Sequence, residues 1–205
     1  WNRMLEATQE AFSEGAVGVV ITHGTDTLHF TAAAISYGWA GQGGRPPGRI
    51  AITGSQRSPD RGSSDAAENL IAAVHWAAHG PSPTGDGDSA VVVLHADSSD
   101  GRCAVLPGCA SRKYHSSRRG AFKSINQNPI ANIFVDKKGG YFVLLGDLRD
   151  DTLVVGVAGL DERQTLRRRR RVLLEGLEAC VHEQGSDIFS DICRIVRLVE
   201  VLKIP

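Results

Sequence analysis

The chain lacks the features that would assign it quickly to a membrane, a disulfide scaffold or a nucleic-acid groove. No apolar run is long enough to span a bilayer and no signal peptide is visible, so cytoplasm is the expected compartment. Its 23 basic and 23 acidic residues cancel, so no overall positive field draws it to a polyanion. The four cysteines, Cys103, Cys109, Cys180 and Cys193, are too few and scattered for a disulfide framework. They form no CxxC pair, which argues against a zinc site. The single methionine is Met4, and the chain opens on Trp1 in what reads as mid-helix, as if it began inside a longer parent sequence.

What is present is ordinary soluble composition, 41% apolar and 22% charged over 205 residues, enough for one sizeable core. Met4, Ala7 and Ala11, with Leu5 and Phe12, predict a first helix. Val17 to Ile21 then reads as a buried parallel strand. At its end stands Thr22-His23-Gly24-Thr25-Asp26-Thr27, with three hydroxyls, a carboxylate and an imidazole in six positions. Open α/β sheets place ligands at the carboxyl ends of their strands, which makes this a candidate site. Equally, it is a polar turn in which Thr25 or Asp26 caps a helix from about Leu28. Residue types alone leave both readings open.

The second helix is expected over 28–39, followed by a Gly/Pro loop over 41–48. The loop's glycines suggest a phosphate cradle, but no Lys-Ser/Thr follows and no strand leads in. A strand at 49–53 and a polar loop at 54–62 precede a third helix running to about His79. Ser63 or Ser64 is its expected cap, and Ala66, Leu70, Ala73, Val74 and Ala77 its expected inner face. His75 and His79 lie four apart, but no HExxH acid stands between them, and they read as surface histidines. A loose linker at 81–88 leads to strands at 90–94 and 103–106. Strands are also expected at 133–135, 141–145 and 152–157, then helices over about 161–184 and 187–202. Arg167 to Arg171 form a run of five. It reads as a solvated helix face, with a tRNA contact as the alternative.

The hexapeptide resembles the second signature of the L-asparaginase family. The resemblance continues in Ile52-Thr53-Gly54-Ser55-Gln56-Arg57-Ser58, Asp60-Arg61 and Ser63-Ser64-Asp65-Ala66-Ala67-Glu68-Asn69-Leu70. It resumes in Arg112-Lys113-Tyr114-His115-Ser116-Ser117-Arg118-Arg119 and in Ala121-Phe122-Lys123-Ser124-Ile125-Asn126. These last two stretches look most like one branch, the D subunits of archaeal glutamyl-tRNA(Gln) amidotransferases. The likeness covers about residues 1 to 133. It implies a three-layer α/β domain with a mostly parallel sheet, here incomplete, and a divergent helical tail over 134–205.

The resemblance also implies a chemistry. Amide hydrolysis needs a nucleophile, a base and oxyanion donors. Thr25 matches the hydroxyl of the family's second catalytic group, Asp26 the adjacent carboxylate and Lys113 the family lysine. Read without the family, Lys113 is a surface lysine beside Arg112. Gly24, Ser55 and Gln56 match the pocket lining. No metal or other cofactor is implied. The family's first signature, Thr-Gly-Gly-Thr-Ile, does not occur upstream of Thr22, and its first threonine is the usual nucleophile. The expected activity is release of ammonia from glutamine for a partner amidotransferase subunit that amidates Glu-tRNA(Gln). The alternatives are a free-standing L-asparaginase and a non-catalytic remnant. A homodimer is expected, with its contact around Asp65.

Overall fold

A computed structural model describes residues 1–41, 45–85, 87–135, 141–145 and 153–158. The helices expected over 161–184 and 187–202, and the five arginines, lie outside the described residues.

The elements alternate at first. Helix α1 (Asn2–Ser13) leads to β1 (Gly18–Thr22), α2 (Leu28–Ala40), β2 (Arg49–Thr53), α3 (Ala66–His79) and β3 (Val91–His95). Then come β4 (Arg102–Pro107), β5 (Ser111–Lys113), β6 (Phe122–Ser124), β7 (Ala131–Val135), β8 (Tyr141–Leu145) and β9 (Leu153–Ala158). Among the described residues the main sheet has the order β1-β2-β3-β4-β7-β8-β9, and β5-β6 is a separate hairpin. Pairing is parallel across β1, β2 and β3 and antiparallel from β3 onward. The sheet is therefore mixed. β1, β2, β3, β7 and β9 share one direction, while β4 and β8 run against it.

Each face of the sheet has its own core, which makes the three layers. Ile50, Ile52, Val92, Leu94, Ala104 and Leu106 face α2 and Phe122, with Met4, Leu5 and Phe12 of α1 packed alongside. Ala51, Val91, Val93, Cys103 and Val105 face Ala72, Ala73 and Trp76 of α3. Alternate strand residues point to opposite faces, so one uninterrupted apolar run such as Val91–Leu94 serves both cores. Leu28 and Ile35 of α2 are fully buried, each contributing about 2–3 kcal/mol of apolar transfer. Ser36 docks the same helix: its hydroxyl donates to Ala90 O at 3.1 Å and accepts from Ala90 N at 3.0 Å.

The two parallel crossovers differ in hand. β1-α2-β2 and β2-α3-β3 step the same way across the sheet, yet α2 covers one face and α3 the other. One of them must be left-handed, against the strong preference for right-handed connections. Gly18 permits the close seat of α3: a Cβ there would lie 2.0 Å from Ala77 O.

Several expectations are corrected. The strand begins at Gly18 rather than Val17, and Val17 is exposed. β1 borders the described sheet and is only half-buried, because it pairs on one side alone. Ala7 is exposed, and α1 turns Thr8 inward instead. The inner face of α3 is Asn69, Ala72, Ala73, Trp76 and Ala77, whereas Leu70 and Val74 are exposed. His75 is buried and its ring lies tilted against that of His79, with centroids 5.0 Å apart. Burial, with a smaller push from His79, lowers its pKa to about 4.

Candidate active site

β1 ends at Thr22, and the chain crosses the end of the sheet to reach α2. His23 N donates to Thr53 O at 2.8 Å, which extends the parallel ladder one step into the signature. Trp1 Nε1 donates to Thr31 Oγ1 at 3.0 Å, and that hydroxyl lies 3.1 Å from His23 Nε2. The other ring nitrogen, Nδ1, is 2.7 Å from Gly24 O, a carbonyl that can only accept. Nδ1 therefore carries the proton, and the Thr31 hydroxyl donates to Nε2. The histidine is thus a brace for the loop.

The position capping α2 is Thr27, so neither Thr25 nor Asp26 serves as cap. Both turn instead toward Lys113. The lysine Nζ donates to Thr25 Oγ1 at 2.8 Å and to Asp26 Oδ1 at 2.8 Å. Lys113 is the last residue of β5 and pairs with Phe122 of β6. Phe122 is 1% exposed and anchors the hairpin in the core, while Ser111 Oγ donates to Pro107 O at 2.6 Å. The lysine side chain is itself 9% exposed, whereas that of Asp26 is 94% exposed. The hydrogen bond from Lys113, and then its charge, hold the Asp26 carboxyl below its ordinary range.

The loop after β2 forms the neighbouring wall. Gly54 has no room for a side chain: a Cβ would lie 2.3 Å from His23 O. Asp65, fully buried at the start of α3, gathers this loop. Its carboxylate accepts from Ser55 Oγ at 2.9 Å, Gln56 N at 3.1 Å, Arg57 N at 3.0 Å and Asn69 Nδ2 at 2.9 Å. Burial by itself would raise the Asp65 pKa, but the donors from Arg57, Gln56 and Ser55 outweigh it and hold the carboxylate ionised. Gln56 Nε2 reaches across to His115 O at 3.2 Å and Arg118 O at 3.0 Å.

The structure thus brings Thr25, Asp26 and Lys113 into one hydrogen-bonded trio. Gly24 lies beside them in the same loop. Ser55 and Gln56 are tied to Asp65, and Gln56 also to the segment that follows Lys113. Sequence reasoning missed Asp65 as the anchor of this loop, although the acid at a helix start was visible as a residue. It also missed His29, whose ring lies tilted against that of Phe30 with centroids 4.1 Å apart. Burial, then the charges of Arg112 and Lys113, lower its pKa, which favours neutral imidazole.

A lysine held between a hydroxyl and a carboxylate at the end of a parallel strand is an arrangement that can serve nucleophilic or acid–base chemistry. Residues 1–142 match the family model described as asparaginase, N-terminal. The chain belongs to the asparaginase family. The D subunit of the glutamyl-tRNA(Gln) amidotransferase from Pyrobaculum aerophilum is 44% identical over 138 residues, covering 67% of this chain and 31% of that protein. Its counterpart from Saccharolobus islandicus is 44% identical over 133 residues, 65% of this chain and 28% of the relative. The chain therefore spans about a third of the length of these relatives. Among solved structures, the thermostable L-asparaginase from Thermococcus kodakarensis superposes with a TM-score of 0.53 at 34% identity, covering 67% of this chain and 36% of that one. The probable cytoplasmic L-asparaginase from Campylobacter jejuni shares the fold, with a TM-score of 0.52 at 24% identity over 71% of this chain and 40% of that one.

Proposed function

We propose that this chain is part of a glutaminase subunit that releases ammonia from glutamine for a partner amidotransferase subunit acting on Glu-tRNA(Gln). The observation that carries the reading is Lys113 Nζ lying 2.8 Å from both Thr25 Oγ1 and Asp26 Oδ1. In this reading neutral Lys113 takes a proton from the reacting hydroxyl, and Asp26 orients the amine, a triad logic with different parts. Asp26, exposed and ionised, also holds the substrate's α-amino group. Gly24, Ser55 and Gln56 line the pocket. The 44% identity to the archaeal amidotransferase relatives favours glutamine and a partner subunit. Cytoplasm, a homodimer and the absence of any required cofactor for amide hydrolysis belong to the same proposal.

Free-standing asparagine hydrolysis is the second reading, favoured by the likeness to the Thermococcus enzyme. Ammonia release from glutamine and from asparagine, measured with and without the partner subunit, separates the two. Glutamine turnover that rises with the partner supports the proposal. Partner-independent asparagine hydrolysis rules against it. Production of neither amide's ammonia by a longer protein that carries the Thr-Gly-Gly-Thr-Ile signature would leave a non-catalytic role.

A further inference from the structure

On the α3 face of the sheet, a buried imidazole meets a carboxylate: His95 Nε2 lies 3.1 Å from Glu68 Oε2. Asn69, itself fully buried, fixes where the protons lie. Its Nδ2 donates to Gly54 O at 2.9 Å and to Asp65 Oδ2 at 2.9 Å. Both partners are acceptors, so the amide cannot be flipped. Its Oδ1 must then face His95 Nδ1, 2.6 Å away, and that nitrogen must carry the proton. In neutral imidazole the other nitrogen, Nε2, presents a bare lone pair. It lies 3.1 Å from Glu68 Oε2, another acceptor, and among the described residues it makes no hydrogen bond. His95 is 1% exposed, so bulk water does not reach the gap freely. Two facing acceptors at contact distance require an electrophile between them, a proton or a metal ion.

The surroundings point to a metal ion. One ligand atom each from Glu68, His95 and Asp100 lies within 4.8 Å of the others. Zinc–nitrogen and zinc–oxygen bonds of about 2.0–2.2 Å across a 3.1 Å separation give an angle of about 95–100°, between the octahedral and tetrahedral values. The supporting contacts are those of a metal histidine: the ring N–H is already committed to an oxygen, Asn69 Oδ1, which fixes tautomer and orientation. The carboxylate is steadied likewise, since Gly101 N donates to Glu68 Oε2 at 2.8 Å. Arg119 pairs with Asp100 Oδ1 and Ser98 O. Cys103 Sγ sits on the Nδ1 side, 3.9 Å from that nitrogen, and is turned away from the gap.

We propose that His95, Glu68 and Asp100 bind a divalent transition-metal ion of the zinc class. The ion has no part in the amide chemistry proposed above. Through Asn69 and Asp65 it would stiffen the Ser55-Gln56 loop.

The test is calorimetric titration of the full chain, stripped of metal, with zinc chloride, followed by cobalt(II) absorption spectra. One equivalent should bind. Glu68→Gln and His95→Gln should weaken binding by more than the roughly 10–100-fold that outer-contact changes cost. Glu68→Gln and Asp100→Asn alter partly exposed side chains, so they keep the test open if His95→Gln fails to fold. Cobalt spectra should show no thiolate charge-transfer band. The proposal is overturned if zinc does not bind a chain that circular dichroism shows to be folded. It is equally overturned if the variants bind as the parent does, or if cobalt shows thiolate ligation. Nitrogen-15 imidazole spectra with both His95 ring nitrogens protonated at neutral pH, with and without zinc, would show that a shared proton fills the gap instead.

Discussion

Gln56 and Arg118 are 62 positions apart, yet the Gln56 amide donates to the Arg118 carbonyl at 3.0 Å. The loop that Asp65 gathers is thereby joined to the segment that follows Lys113. Loss of this tether should loosen the pocket while leaving the trio's own atoms in place. Gln56→Ala in an active longer protein should raise KM more than it lowers kcat, as expected when a binding contact is removed. Steady-state kinetics with glutamine check this.

Lys113→Ala and Thr25→Ala should each remove amide hydrolysis from a longer protein that carries the first threonine signature. Members of a catalytic unit are not additive, and losing one costs on the order of 10⁴-fold or more. Asp26 is 94% exposed, so its ion pair with Lys113 contributes little stability of its own. For residues 1–205 alone, without that signature, turnover should stay at background. Ammonia release reports both outcomes, and robust turnover by this chain would show that another group attacks the amide.

Asp65→Asn should destabilise the fold by about 2–3 kcal/mol, because it replaces a charged acceptor of buried donors with an amide that satisfies fewer of them. The Asp65 pKa is lower in the folded than in the unfolded chain, so its contribution is complete above the ordinary value of 3.8. It is lost as pH falls from there through the folded value. Urea denaturation of parent and variant should converge in that acidic window and differ at neutral pH.

His75 makes stability fall at a milder acidity. Its pKa drops from 6.5 to about 4 on folding, so the unfolded chain takes up the proton first. Stability should decline as pH is lowered from 6.5 to about 4, by up to about 3 kcal/mol, and then level off. His75→Leu should flatten that part of the curve. An unchanged slope between pH 6.5 and about 4 would place the acid sensitivity elsewhere.

Gly54→Ala should displace the signature loop. The new methyl would meet His23 O at 2.3 Å, a backbone atom that cannot rotate away. A cost of about 1–3 kcal/mol is expected, as for other overpacked positions. His23 imidazole resonances should shift with it, since the ring braces Gly24 O.

The parallel half of the fold was legible because Ile50–Ile52 and Val91–Leu94 are short β-rich runs separated by helical spacing. Family likeness, rather than residue type, pointed to Lys113. The hairpin that carries it was not foreseen, since Ser111–Lys113 and Phe122–Ser124 are three-residue strands of mainly polar residues. The inner face of α3 was misread because Asn69 and His75 are polar yet buried, and their burial depends on partners distant in sequence. The His95–Glu68 pair gave no local signal at all. Its two side chains meet only because β3 lies against α3.

The Thr25–Lys113 contact spans 88 positions. At synthesis rates of about 5–20 residues per second, the lysine leaves the ribosome roughly 4–18 s after the threonine. During that interval β1 and α2 can form, but the hydroxyl has no partner. The trio closes only once β4 has paired and the hairpin has turned its lysine back over the end of the sheet. Nascent chains stopped before position 113 would thus carry the signature loop with an unassembled site.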